Sequence, residues 1–378
     1  MLFLFVEITL FLLYNCYKVI DVIYLNYNKE YPVTFEALDT YNKASKEVNN
    51  DIKIQDDLIK NEVKTIADLF NVMDSELIFT SGKIESHNLA MVGMASANHK
   101  KGKHIIVSCL EDKTVYRICD YLSSIGFEIS YVKNTNEGLI DFDDLKRLVK
   151  DDTILVCISA VNDSVGVRQP LKMIRQIIKK ENPATLFYSD FSNAIGKIAV
   201  NFHDVDIASI SSNLLGGPKG IGLLYKAESV KINPLLYGGN NISSCERSFP
   251  LIKAFSQSIK TGIIDIEKKE HFIARLNEKI VNALKNYNLL INNTNYSISH
   301  VINISVSENN APYIVNYLRE KKIYVGFKEG LDTSVMAIYN DKKRATNTIV
   351  ISLCYKTTTD EVNTFINEFI NAYNKYEV

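Results

Sequence analysis

The alternation running from residue 104 to residue 225 constrains this chain more than any other feature. Short apolar runs rich in β-branched residues (104–109, 127–132, 153–160, 185–189 and 205–211) are separated by amphipathic stretches near 113–125, 141–150 and 171–180. Runs of that kind read as buried strands, and the stretches between them carry a helical period. Strand and helix in succession imply parallel strands joined by helical crossovers, with ligands at the strands' carboxyl ends. The expected fold class is α/β.

The alternation closes on residues 203–225. There the strand 205–211 is broken by Gly216-Gly217-Pro218, and Lys219-Gly220-Ile221-Gly222-Leu223-Leu224-Tyr225 begins another strand. By itself this is an ordinary glycine turn between strands. A P-loop is excluded, because no Gly-x-x-x-x-Gly-Lys-Ser/Thr pattern occurs.

At 378 residues, 46% hydrophobic and 23% charged, the chain can bury a large core. A net charge of −1 leaves no electrostatic footprint for nucleic acid. Cys16, Cys109, Cys119, Cys157, Cys245 and Cys354 form no Cys-x-x-Cys pair, which argues against a zinc site or a disulfide scaffold; no metal is expected. Residues 1–20 are hydrophobic but interrupted, with neither the length of a membrane span nor the basic start of a signal peptide. An interfacial anchor, an extra packed helix and a misassigned start all remain open. The expectation is a cytoplasmic protein.

Ser211-Ser212-Asn213-Leu214-Leu215-Gly216-Gly217-Pro218-Lys219-Gly220-Ile221-Gly222 resembles the cofactor-lysine segment of NifS-like cysteine desulfurases, within the class V aminotransferases. Those proteins read Ser-x-His-Lys-x-x-Gly-Pro-Lys-Gly-x-Gly, and the first Lys holds pyridoxal phosphate as a Schiff base. Here that position is Leu214. The likeness runs over roughly 21–370, from Ile23-Tyr24-Leu25-Asn26 onward, and a degenerate member of this kind would resemble the divergent NifS-like proteins that some large DNA viruses encode.

The resemblance implies a cofactor site made of Ser81, Gly82, Lys83, Ile84, Asp163, Asp190, Asn193, Ser211 and Asn213. Ser81-Gly82 would open a helix onto the cofactor phosphate, although Lys83-Ile84 replaces the family's Ala-Thr. A capped helix start without ligand explains that segment equally well. Asp190 would pair with the pyridine nitrogen; a helix N-cap is its plainer role. Asn193 stands for a Gln. Asp163 stands for the Asn that donates to the phenolic oxygen. Asp112 stands where the family has the ring-stacking His, and Val350 where an Arg binds the substrate carboxylate. The loop that carries the family's catalytic Cys corresponds to residues 326–334, which hold none.

These replacements predict a non-catalytic binding or regulatory homologue. The alternative is a pyridoxal-phosphate enzyme with an altered site. Weak, noncovalent cofactor binding is expected at best, in a homodimer with a further protein partner open. The resemblance also implies a layout of 21–262 as an aminotransferase-like large domain with a mostly parallel sheet. A smaller α+β domain, 263–378, would take the strand at 22–26 beside it.

Overall fold

A computed structural model describes residues 22–47, 52–238, 242–243, 247–307 and 310–376. The hydrophobic stretch 1–20 lies outside the described residues, as do Cys16, Gly239 and Cys245. In chain order the strands are β1 (Ile23–Leu25), β2 (Leu77–Thr80), β3 (His104–Ser108), β4 (Glu128–Val132), β5 (Thr153–Cys157) and β6 (Leu186–Asp190). They continue with β7 (Ile207–Ser211), β8 (Gly222–Lys226), β9 (Leu290–Ile291), β10 (Val301–Ser305), β11 (Ile323–Leu331) and β12 (Thr346–Ser352).

The larger sheet has the order β2-β8-β7-β6-β5-β3-β4. The pairs from β7 through to β4 are parallel, and β8 runs antiparallel to β7 and β2. β3, β5 and β7 are buried along their whole length, which is why they read as continuous apolar runs and not as alternating ones. Helices Lys113–Ser124, Phe142–Leu148 and Leu171–Glu181 make the crossovers. Ile174 and Ile178, one turn apart on the last of these, go into the core, while Lys179 and Lys180 favour its C-terminal dipole.

The second sheet has the order β1-β11-β12-β10-β9. β1 joins it in parallel, with Tyr24 opposite Tyr324. Helices Ile266–Leu284, Ala311–Glu320 and Thr359–Tyr376 bury Leu276, Ile314, Phe365 and Phe369 against it. Fully buried Phe365 contributes about 2–3 kcal/mol by area alone.

Strand edges differ from the sequence expectation where backbone geometry intervenes. β5 ends at Cys157 and not at residue 160, yet Ile158 N and Ala160 N still donate to Tyr188 O and Asp190 O of β6. β8 starts only at Gly222, because Gly220 takes φ +85° in the turn before it. A Cβ at Gly222 would lie 2.9 Å from Gly82 Cα and 3.0 Å from Ile210 O, so only glycine lets β8 pass between β7 and the turn after β2.

The largest departure is residues 326–334, expected to be a loop. Instead β11 extends to Leu331, pairing Lys328 with Thr348 and Leu331 with Thr346 across a bulge. Asp332 then caps the helix Thr333–Tyr339 through Ser334 N and Val335 N. The family resemblance implied a loop here; pairing with β12 overrides it. Among the described residues no helix is long and apolar enough to cross a membrane.

Candidate functional site

β6 and β7 lie side by side and parallel, with Asp190 opposite Ser209. Asp190 and Ser211 therefore emerge at neighbouring carboxyl ends, where sheets of this kind bind ligands. Asp190 is not a helix N-cap: no helix follows it, and its Oδ1 accepts from Ser192 N (3.1 Å), Ser192 Oγ (2.6 Å) and Ser209 Oγ (2.9 Å).

The other oxygen faces a cation of the chain itself. Lys83, the first residue of helix Lys83–Asn88, holds its Nζ 3.4 Å from Asp190 Oδ2 and in contact with Asp112 Oδ2. Burial alone would depress the Lys83 pKa, but Asp190 and Asp112 outweigh it and hold the ammonium above its ordinary value. Burial would likewise raise both carboxylates, and the Lys83 ammonium outweighs it and holds them below theirs. Asp112 also caps helix Lys113–Ser124 through Thr114 N and Val115 N. One carboxylate thus has two structural duties.

His87 stands one helical turn after Lys83 and is fully buried. Its Nδ1 meets Tyr188 Oη at 2.6 Å, and its Nε2 faces Asp190 Oδ2 at 3.6 Å. Burial is the main reason its pKa is lowered, so the imidazole is neutral at pH 7. Tyr188 Oη also contacts Ser209 Oγ at 2.8 Å, closing a polar ring back to Asp190. Beside it Glu111 accepts from Ser159 N at 2.8 Å and from Ser159 Oγ. Burial pushes Glu111 up to about 8 despite those two bonds.

The remaining expected residues divide into local groups. Asp163 pairs with Lys328 of β11 at 2.9 Å, so an ion pair joins the segment after β5 to the second sheet. Asn193 Oδ1 accepts from buried Lys197 Nζ at 3.1 Å. Ser211 Oγ donates to Asn213 Oδ1 at 2.6 Å. Ser81 N donates to Glu85 Oε2 at 2.6 Å, Gly82 takes φ +133° as the helix begins, and Ile84 is exposed. Leu214 is buried in the turn Ser212–Leu214 that follows β7, and Val350 is buried within β12. The structure therefore joins Lys83, Asp112 and Asp190 directly, while Asp163 pairs with Lys328, Asn193 with Lys197, and Ser211 with Asn213. Sequence reasoning missed His87, Tyr188, Lys197 and Lys328. The i, i+4 spacing of Lys83 and His87 was the one signal available for any of them.

Leu214 offers no amine with which to hold pyridoxal phosphate covalently. The strand-end position carries an apolar Leu214, and the carboxylate suited to a pyridine nitrogen is already bonded on both oxygens. Among the described residues no group of three or more His, Cys, Asp or Glu is arranged to hold a metal ion.

Comparison with known proteins matches residues 34–365 to the family described as Aminotransferase class-V. The chain is 35% identical over 252 residues to a cysteine desulfurase IscS of Dictyoglomus turgidum, covering 62% of this chain and 64% of that protein. It is 30% identical over 335 residues to the IscS of Buchnera aphidicola from Acyrthosiphon pisum, covering 81% and 78%. A solved NifS-like protein superimposes with a TM-score of 0.88 at 27% identity, covering 94% of this chain and 100% of that one. Such a match in sequence and in three dimensions places the chain in the class V aminotransferase family, among its NifS-like members.

Proposed function

We propose that this protein is a NifS-like homologue without desulfurase activity, serving as a binding or regulatory module, a homodimer in the cytoplasm. The carrying observation is the Lys83 ammonium seated between Asp112 and Asp190. At 3.4 Å and an effective dielectric of about 20, one such pair is worth about 5 kcal/mol before desolvation. Ring stacking by a cofactor would return only about 0.5–1.5 kcal/mol, and Asp112 offers no ring to stack on. Leu214 supports the same reading, since an alkyl side chain forms no Schiff base. Val350 offers no guanidinium for a substrate carboxylate.

Four separate steps of a desulfurase lack their groups: cofactor capture at Leu214, proton transfer at Asp112, substrate orientation at Val350 and sulfur acceptance in 326–334. The test is purified protein incubated with cysteine, pyridoxal phosphate and reductant, followed by sulfide assay and borohydride reduction. No sulfide above the blank and no pyridoxyl-lysine are expected. Sedimentation of the same sample reads the dimer.

One observation favours a second reading, a pyridoxal-phosphate enzyme with an altered site. Burial pulls the Lys197 amine down to about 8, nearer to a nucleophile than an exposed lysine. Stoichiometric pyridoxyl adduct on Lys83, Lys197 or Lys219 would establish that reading in place of the first.

A further inference from the structure

Leu214 borders a cavity of about 30 Å³, walled also by Tyr31, Lys197, Lys269, His300 and Cys354. It is chemically unlike the Lys83 cluster. None of the described residues lining it is acidic, and two of them are lysines. Lys269 is held at its edge by Thr261 O (2.6 Å) and Gly262 O (3.2 Å) and lies over the Tyr355 ring.

Lys197 is less well provided for. It is 7% exposed, its Nζ donates only to Asn193 Oδ1, and among the described residues it has no ion-pair partner. Of the groups that favour its protonated form, the Cys354 thiol comes first and forms no ion pair with it, and the carboxylates Asp163 and Asp190 are committed to Lys328 and Lys83. Two more polar atoms here are orphaned. His300, 4% exposed, has no partner for Nδ1, and Tyr31 Oη makes no well-formed hydrogen bond, with the Cys354 thiol and the Tyr355 hydroxyl as its polar neighbours.

A buried cation without a counter-charge either sheds its proton or acquires an anion. At about 8 Lys197 is still largely protonated at pH 7. His300 is held down to about 3 by burial, with Lys197 adding to it, so it is neutral, and its unpartnered Nδ1 is free to carry the ring proton and donate. The site thus offers one charge and two neutral hydrogen bonds. Space of this size takes a water pair or one ion of halide size and is too small for a phosphate ester. Water fills the volume but leaves the charge uncompensated.

We propose that this cavity is a binding site for a small monovalent anion of halide size, held by Lys197 with His300 Nδ1–H and Tyr31 Oη–H as neutral donors. The site stands whether or not the neighbouring cleft catalyses.

The test compares urea unfolding of the full chain in potassium bromide and potassium gluconate at equal ionic strength, with anomalous diffraction from crystals grown in bromide. Wild type is expected to show a saturable bromide-dependent rise in midpoint and a bromide peak beside Lys197 Nζ. Lys197→Met should weaken the apparent bromide affinity at least tenfold, and Tyr31→Phe several-fold. Equal wild-type midpoints in the two salts, or an undiminished bromide effect in Lys197→Met, overturns the proposal. Should Lys197→Met fail to fold, the wild-type crystal decides: bromide in the cavity supports the site, and water alone refutes it.

Discussion

Lys83 Nζ stands 3.4 Å from Asp190 Oδ2, so the carboxylate at the end of β6 already has a cation from its own chain. In a cleft of this architecture that carboxylate is the group suited to a protonated ring nitrogen. The Lys83 ammonium, at the start of the helix that follows β2, supplies the same charge without any ligand.

Removing that charge should be costly. Lys83→Met keeps the stem but leaves Asp112 and Asp190 facing each other without a cation. A loss of about 3 kcal/mol is expected, read from urea unfolding at pH 7. The variant should also gain stability on acidification to pH 5 relative to wild type, because its carboxylates can then protonate. A difference below about 1 kcal/mol would mean that solvent screens the pair.

Restoring the amine alone should not restore chemistry. Leu214→Lys places a second ammonium beside Lys197 at the cavity wall, where Leu214 is buried. A loss of about 2–4 kcal/mol is expected, with no sulfide released from cysteine, since Val350 and residues 326–334 are unchanged. Sustained sulfide release by this single variant would contradict the proposed loss of function.

Glu111 should impose a pH dependence of its own. Its folded pKa is raised to about 8 from an ordinary 4.5, so between those values the folded state holds a proton that the unfolded chain has lost. Stability from this group is complete below about 4.5 and declines as pH rises through 8. The buried histidines His87, His104 and His300, all lowered, act in the opposite direction below their ordinary 6.5. The clean window is therefore pH 6.5 to 8. There wild type should lose stability relative to Glu111→Gln, and parallel curves would refute the assignment.

Asp332 should matter more than its place after a strand suggests. Its Oδ2 accepts from Ser164 Oγ, from Thr348 Oγ1 at 2.8 Å and from Asn303 Nδ2 at 3.1 Å, while Oδ1 caps the helix Thr333–Tyr339. It fastens the segment after Asn162 to the second sheet. Asp332→Ala should cost about 3–5 kcal/mol, because several buried donors lose their acceptor together. A matching fall in urea midpoint, with the slope unchanged, is the expected reading.

The parallel sheet was legible in the sequence, because strands buried on both faces must be continuously apolar and their crossovers must show a helical period. β3 and β5 did both, and β7 showed the apolar run alone. Residue identity also sufficed to see that Leu214 cannot form a Schiff base and that Val350 cannot fork onto a carboxylate. Pairings between distant residues were not legible. Lys83 follows β2, Asp112 follows β3 and Asp190 ends β6, and only the order of strands in the sheet brings them within ion-pair distance. The extension of β11 depended on β12, which follows it in the chain. The Lys197 cavity likewise needs Tyr31, His300 and Cys354 to converge from far-apart segments. Sequence reports what a side chain can do; its charge partner is decided by which strand ends become neighbours, and that is a property of the folded sheet.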